Sequence, residues 1–261
     1  MTTASRVPGP AATDEEHVEL VVDFPERVRR WTVLLRFFLA IPQWIVMIFF
    51  TALIWFVVIA AWFAALVLGR LPQGLYEFVA VYLGWSTRFS GYLMLLTDQH
   101  PPFSSTEPYP VRVELPAQGE LNRLAVLFRF ILIIPAGILS SLVLAGWWPV
   151  FGVVTWVAEL VVGRVPVLLF TTNAALLRYS TRVMAYGATL TPTYPKKLFG
   201  DGRPEEGATA VPTTRPLLLS LGAQILVVVC LVLGLLNLGD SSRQAADTVE
   251  REQLASTSGG F

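Results

Sequence analysis

The stretch WFAALVLGRLPQGLYEFVAVYLGWSTRFSGYLMLLTDQHP, residues 62–101, returns 94 positions later as WVAELVVGRVPVLLFTTNAALLRYSTRVMAYGATLTPTYP, residues 156–195. Of the 40 positions, 17 are identical. Trp62/Trp156, Gly69/Gly163, Arg70/Arg164, Pro72/Pro166, Ser86-Thr87-Arg88/Ser180-Thr181-Arg182 and Tyr92/Tyr186 stand in register. Upstream the offset becomes 93: residues 28–42 match 121–135 at 8 of 15 positions, among them Arg36/Arg129 and Pro42/Pro135. One residue has therefore been inserted in the second copy between these halves. Apolar composition explains coincidences of leucine and valine, but not arginines and prolines in register. The chain is a tandem duplication.

Each copy reads the same way. It opens with a short alternating segment, residues 18–22 or 111–115, of strand periodicity. An apolar helix follows, about 29–51 or 121–146, long enough at about 1.5 Å per residue to cross a hydrocarbon core of about 30 Å. Gly146-Trp147-Trp148-Pro149 predicts a break in the second copy, and equivalence predicts one near Thr51 in the first. A shorter apolar helix ends at Gly69-Arg70-Leu71-Pro72 or Gly163-Arg164-Val165-Pro166, where glycine then proline marks a stop and restart. The third helix, about 73–96 or 167–190, is less apolar and amphipathic. After residues 191–215, rich in Pro, Gly and Thr, residues 216–238 run without a charge, the clearest membrane span in the chain.

The expected fold is an all-α membrane protein. It has two tandem three-helix repeats (one long, one short and one amphipathic helix), short strands before each, and a C-terminal transmembrane helix. The expected divisions are a disordered tail 1–16, repeat 1 at 17–103, repeat 2 at 104–196, a linker 197–215, the span 216–238 and a disordered tail 239–261.

Composition agrees with this. The chain has 261 residues, 54% apolar, with 19 basic and 19 acidic side chains and a mean hydropathy of +0.59. Residues 31–96 carry four charges, 124–190 carry five and 216–239 none, which excludes a soluble globular domain. The single cysteine, Cys230, lies in the last apolar run, so no intrachain disulfide is expected. The first thirty residues include Asp14, Glu15 and Glu16 and no apolar core, so insertion is expected to be directed by the first hydrophobic segment. Residues 1–30, 97–123 and 191–215 carry ten Lys or Arg, whereas 239–261 carries two against four acids. That bias places the N-terminus in the cytoplasm and the C-terminus outside. A shared pattern implies that both copies insert in one orientation, with an even number of crossings each.

Catalytic signals are weak. His17 and His100 lie in polar segments with no second ligand at metal-binding spacing, and no phosphate loop, nucleophile elbow or His-Glu-x-x-His helix occurs. No catalytic residue, metal, cofactor or nucleic-acid partner is expected. Glu77 and Glu159 are the acids within the apolar blocks, and their counterparts are Thr171 and Ala65. For Glu159 an ion pair, interfacial exposure or a coupling role stay open.

Seven arginines fall within the apolar blocks: Arg36, Arg70, Arg88, Arg129, Arg164, Arg178 and Arg182. Each would cost about 2.5–3.5 kcal/mol at the bilayer centre, so they are expected near headgroups or in a hydrated interior. Arg88 and Tyr92 share one helical face, as do Arg178, Arg182 and Tyr186. Two readings follow: snorkelling anchors, or a site for anionic lipid headgroups. A structural role is expected for the repeat-matched residues Arg36, Pro42, Gly69, Arg70 and Pro72, and for Arg129, Pro135, Gly163, Arg164 and Pro166.

The paired pattern Arg-Phe-x3-Ile-Pro, Trp-x6-Gly-Arg-x-Pro, Ser-Thr-Arg-x3-Tyr and Leu-Thr-x3-Pro resembles a bacterial membrane family, domain of unknown function 4389, often present as two copies per chain in actinobacterial proteins. The resemblance covers residues 17–103 and 109–196. The second copy departs at Glu77, which becomes Thr171, and at Gly84, which becomes Arg178. It implies a multi-pass protein of the bacterial cytoplasmic membrane and no activity. The expected function is a non-catalytic structural or accessory subunit with a membrane-protein partner. The competing one is a lipid binder or carrier using the arginine faces.

Overall fold

Gly69 and Gly163 end the long apolar helices in the same left-handed backbone state, each with φ of 71°. Glycine enters that region without a Cβ penalty, so the stop falls where the sequence puts it. Each glycine N–H closes the helix on a carbonyl four residues back, Ala65 or Glu159. Three residues on, Pro72 and Pro166 precede the next helices as N-caps, where the missing proline N–H is no loss.

The computed structural model describes residues 18–25, 28–103, 107–200 and 217–258. In order these form β1 (Glu19–Val22), α1 (Arg30–Leu68), α2 (Gln73–Leu93), β2 (Val111–Glu114), α3 (Arg123–Leu127), α4 (Arg129–Gly146), a π-helical segment (Trp147–Gly152), α5 (Val153–Val162), α6 (Val167–Gly187) and α7 (Leu221–Ser258). Three helical stretches are long and apolar enough to cross a membrane: Arg30–Leu68, Arg129–Val162 and Leu221–Val249. The expected tail 1–16 and most of the linker 197–215 lie outside the described residues.

Two expected breaks take a different form. The long and short helices of copy 1 are one uninterrupted helix of 39 residues, with no break near Thr51. Neither glycine nor proline occurs from Gln43 to Leu68, so nothing interrupts the hydrogen-bond ladder there. In copy 2 the Trp147-Trp148-Pro149 signal gives a π turn that carries the helix on. A π turn holds more residues than an α turn, and this one lies where the repeat offset changes from 93 to 94. The inserted residue is absorbed as a wider turn. The last helix also differs, because α7 continues to Ser258 instead of ending at Leu238. Residues 239–258 are rich in Gln, Ala, Glu and Arg, which are good helix formers. The Ser241 hydroxyl, bonded to the Asn237 carbonyl at 2.8 Å, and the Arg243–Asp240 pair at 4.0 Å lie along it.

The two copies are related by a local twofold. β1 and β2 pair antiparallel with Leu20 opposite Val113, each residue facing its own equivalent at an offset of 93. Val28 N–H donates to the Gly163 carbonyl at 3.3 Å and Leu121 N–H to the Gly69 carbonyl at 2.8 Å, again equivalent bonds made in both directions. The Trp62 indole donates to the Val126 carbonyl at 2.7 Å and the Trp156 indole to the Val33 carbonyl at 2.9 Å. The start of each long helix therefore meets the end of the other. In α7, Gly234 and Cys230 lie against Leu142 and Gly146 of α4, so the last helix packs on copy 2.

Candidate functional site: arginine clamps and a polar cavity

Arg36 and Arg129 are buried at equivalent points of the two copies. Arg36 donates Nη1 to the Tyr92 carbonyl and Nη2 to the Thr97 carbonyl at 3.0 Å. Arg129 donates to the Tyr186 carbonyl at 2.9 Å and the Thr191 carbonyl at 3.3 Å. Each guanidinium also lies over a tyrosine ring, Arg36 4.5 Å from the centre of Tyr92 and Arg129 4.4 Å from that of Tyr186. The accepting carbonyls flank the tight ends of α2 and α6, where Leu95 and Thr189 take φ of 62° and 63°. In the first, Leu96 N–H reaches back to the Gly91 carbonyl; in the second, Leu190 N–H reaches Ala185. This is the reversed-turn helix stop that glycine usually provides. A planar guanidinium with five donors in a fixed fork suits two carbonyls presented together.

The residues grouped from sequence as headgroup contacts are not on one open face. Tyr92, Tyr186, Arg178 and Arg182 are buried, and Arg88 is half-buried with its guanidinium 5.7 Å from the Tyr109 ring centre. Arg182 donates to the carbonyls of Val18 at 2.9 Å and Lys196 at 3.3 Å. Helical spacing identifies which residues share a face, and here protein covers most of that face. Arg70 and Arg164 are exposed, and the twofold brings exposed cations of the other copy beside them. Arg123 lies against Gly69, and Arg30 lies against Gly163 and donates to the Val161 carbonyl at 3.1 Å. Pro42 and Pro135 sit on exposed faces inside α1 and α4.

At the head of copy 1 lies an open cavity of about 1040 Å³ lined by Arg29, Thr32, Tyr92, Thr97, Asp98 and His100, among others. Asp98 accepts from the Arg29 N–H at 3.1 Å and from the Thr32 hydroxyl. His100 Nε2 lies 3.1 Å from the Leu39 carbonyl, its ring 5.6 Å from that of Tyr92. Nearby, the Tyr109 hydroxyl donates to the Gln99 carbonyl at 2.8 Å, and burial holds its phenol above the usual tyrosine range. Of the two acids within the apolar blocks, Glu77 is exposed and accepts from Gln73 at 2.8 Å, whereas Glu159 is buried on α5. Sequence reasoning missed Asp98, Gln43 and Thr155. The registers of Tyr92 with Tyr186 and of Thr97 with Thr191 were the signals pointing to the clamp ends.

No curated protein and no solved structure matches the chain. A family model described as a domain of unknown function matches twice, over residues 30–105 and 123–198. The first match begins at the start of α1 and the second at the start of α3, which leads into α4, and each ends beyond the clamp of its copy. With both repeats covered in this way, the chain belongs to the DUF4389 family as a tandem pair of its domains.

Proposed function

We propose that the protein is a non-catalytic component of a membrane assembly, a structural or accessory subunit. The observation behind this reading is that both copies commit the same buried arginine to backbone carbonyls. Those charges serve the fold, while the apolar faces of α1, α4 and α7 point outward. Co-purification in mild detergent tests it. A protein partner retained in fixed ratio supports the reading, and a chain purified alone with no partner at any detergent strength counts against it.

The same reading includes an orientation. Asp98 sits at the start of α1, beside Arg29 and Thr32, while Leu121 and Gln118 bond the carbonyls of Gly69 and Leu71 at its end. One polar, proline-rich connection thus reaches both ends of the long helix. Such a connection has no place in hydrocarbon, so it runs over an aqueous or protein-covered face, and the shared pattern of the copies favours an even crossing count in each. With the positive bias, the N-terminus is in the bacterial cytoplasm and the end of α7 lies outside. Reporter fusions before Val18 and after α7 are expected to fall on opposite sides.

A second reading, binding of anionic lipid headgroups, is favoured by the exposed arginines at the ends of the long helices: Arg70 beside Gly69, against which Arg123 lies, and Arg164 beside Gly163, against which Arg30 lies. Guanidinium groups at the ends of apolar helices suit phosphate oxygens. Among the residues grouped from sequence, Arg88 keeps the exposure such a contact needs. Loss of retained anionic lipid from a folded Arg70→Gln/Arg123→Gln variant would favour this reading over the first.

A further inference from the structure

We propose that Glu159, with Thr155, Gln43 and Arg36, forms a hydrated proton-binding site between the two copies, fed from the cavity at Asp98. Three of these side chains are sealed from solvent, Gln43 and Thr155 at 0% exposure and Glu159 at 1%. Among the described residues, both Glu159 carboxylate oxygens, the Thr155 hydroxyl, both ends of the Gln43 amide and Arg36 Nε have no hydrogen-bond partner. Buried polar atoms are nearly always paired, with protein or with ordered water. Glu159 and Thr155 on α5 lie across from Arg36 on α1, and the Gln43 amide lies further along α1; these buried polar atoms call for water as their occupant.

Their placement is specific. Thr155 and Glu159 are one turn apart on α5 and flank Trp156, whose indole bonds the Val33 carbonyl on α1. Arg36 follows Val33 by one turn, and Gln43 lies about 10 Å further along the helix. The charges facing Glu159 are Arg36 from α1 and Asp98 from the connection after α2, and Tyr92 and Tyr109 border Arg36. Among the described residues, two carboxylates against one guanidinium leave the group one positive charge short. Arg36 Nε and the Gln43 amide are donors while the carboxylate is an acceptor, so the occupant must both accept and donate. Water does this; a bare metal ion does not. The cavity wall includes Val28, bonded to Gly163 one turn beyond Glu159. In the proposed step, hydronium arriving through that water gives its proton to a carboxylate oxygen, leaving the neutral acid and one water.

The duplication supplies the control. At the equivalent positions the other half has Ala136 for Gln43, Ala61 for Thr155 and Ala65 for Glu159, all three buried, while Arg129 keeps its clamp. The architecture therefore packs well without these polar groups. They are an addition to one of two otherwise matched sites.

Infrared difference spectroscopy on the full chain in lipid nanodiscs, titrated from acid to alkaline pH in H2O and D2O, tests this. A carboxylic C=O band is expected that titrates, shifts in D2O, disappears in Glu159→Gln and persists in Glu77→Gln. The triple variant Gln43→Ala/Thr155→Ala/Glu159→Ala, which copies the other half, is expected to fold and to lack the band. Absence of a titrating band from the wild type, or its persistence in Glu159→Gln, would overturn the proposal. So would a triple variant that no longer folds, because the polar set would then be structural. A band whose midpoint moves with sodium at constant pH would replace the proton by a metal ion and overturn it too.

Discussion

The hydroxyls of Thr87 and Thr181 lie 3.3 Å apart, so a residue of the first copy touches its own equivalent in the second. Such self-contacts mark the axis of a twofold pair, as in isologous dimers. Together with Leu20 opposite Val113, they show a duplicated chain folded as a dimer of its own halves. The equivalent clamps, caps and indole bonds of the two copies follow from that symmetry.

The clamps should be of similar worth in both copies. Arg36→Met and Arg129→Met each take the guanidinium from two buried carbonyls. Tyr92 and Tyr186 keep a backbone N–H from Leu95 and Thr189, while Thr97 and Thr191 lose their side-chain donor, and an unsatisfied buried group costs about 1–3 kcal/mol. Both variants are expected to unfold at lower temperature by comparable amounts in detergent. Lysine at either position should rescue little, since an ammonium lacks the planar fork. A variant of either arginine that matched the wild-type melting curve would show that the clamp carries no stability.

The position of α7 depends on two glycines. A Cβ on Gly146 would stand 1.8 Å from the Cys230 carbonyl oxygen, and one on Gly234 would stand 2.0 Å from that of Leu142. These are backbone atoms in both cases, so the helices must separate. Gly146→Leu or Gly234→Leu is expected to release α7 from α4, read as a gain in protease or thiol-reagent access to Cys230. Gly84→Ala, where a Cβ meets nothing within 4 Å, should leave access unchanged. Long helix α1 has no glycine, which explains why α7 packs on copy 2.

Alkaline stability should depend in part on Tyr109. Burial raises its phenol, and its proton is the one donated to the Gln99 carbonyl. A raised folded-state value means the contribution is complete below the unfolded phenol value of about 10 and is lost as pH climbs through the folded one. Unfolding followed on the alkaline side of that value should be steeper in pH for the wild type than for Tyr109→Phe. Equal slopes would assign the loss to other groups.

The duplication, the stops at Gly69 and Gly163 and the restarts at Pro72 and Pro166 were legible because each needs a particular residue type. Arginine and proline do not recur in register by composition, and only glycine takes the left-handed cap freely. The twofold was not legible, since a repeat in sequence fixes what is copied and says nothing of the operator that relates the copies. Nor was the burial of Arg178 and Arg182, because periodicity assigns residues to a face without naming what covers it. The break expected near Thr51 was carried over from copy 2, where the feature proved to be an inserted residue held in a π turn. Glu159 stood out in sequence, but Gln43 and Thr155 are ordinary residues whose significance lies in being fully buried without a hydrogen-bond partner among the described residues.

Site-directed cross-linking tests the head-to-tail pairing of the copies most directly. In a Cys230→Ala background, cysteine pairs at 70 with 123 and at 30 with 164 are expected to join efficiently through a short bifunctional thiol reagent. Pairs at 30 with 123 and at 70 with 164 should not join. The opposite outcome, start joined to start and end to end, would mean that the copies stand side by side, and would contradict the twofold.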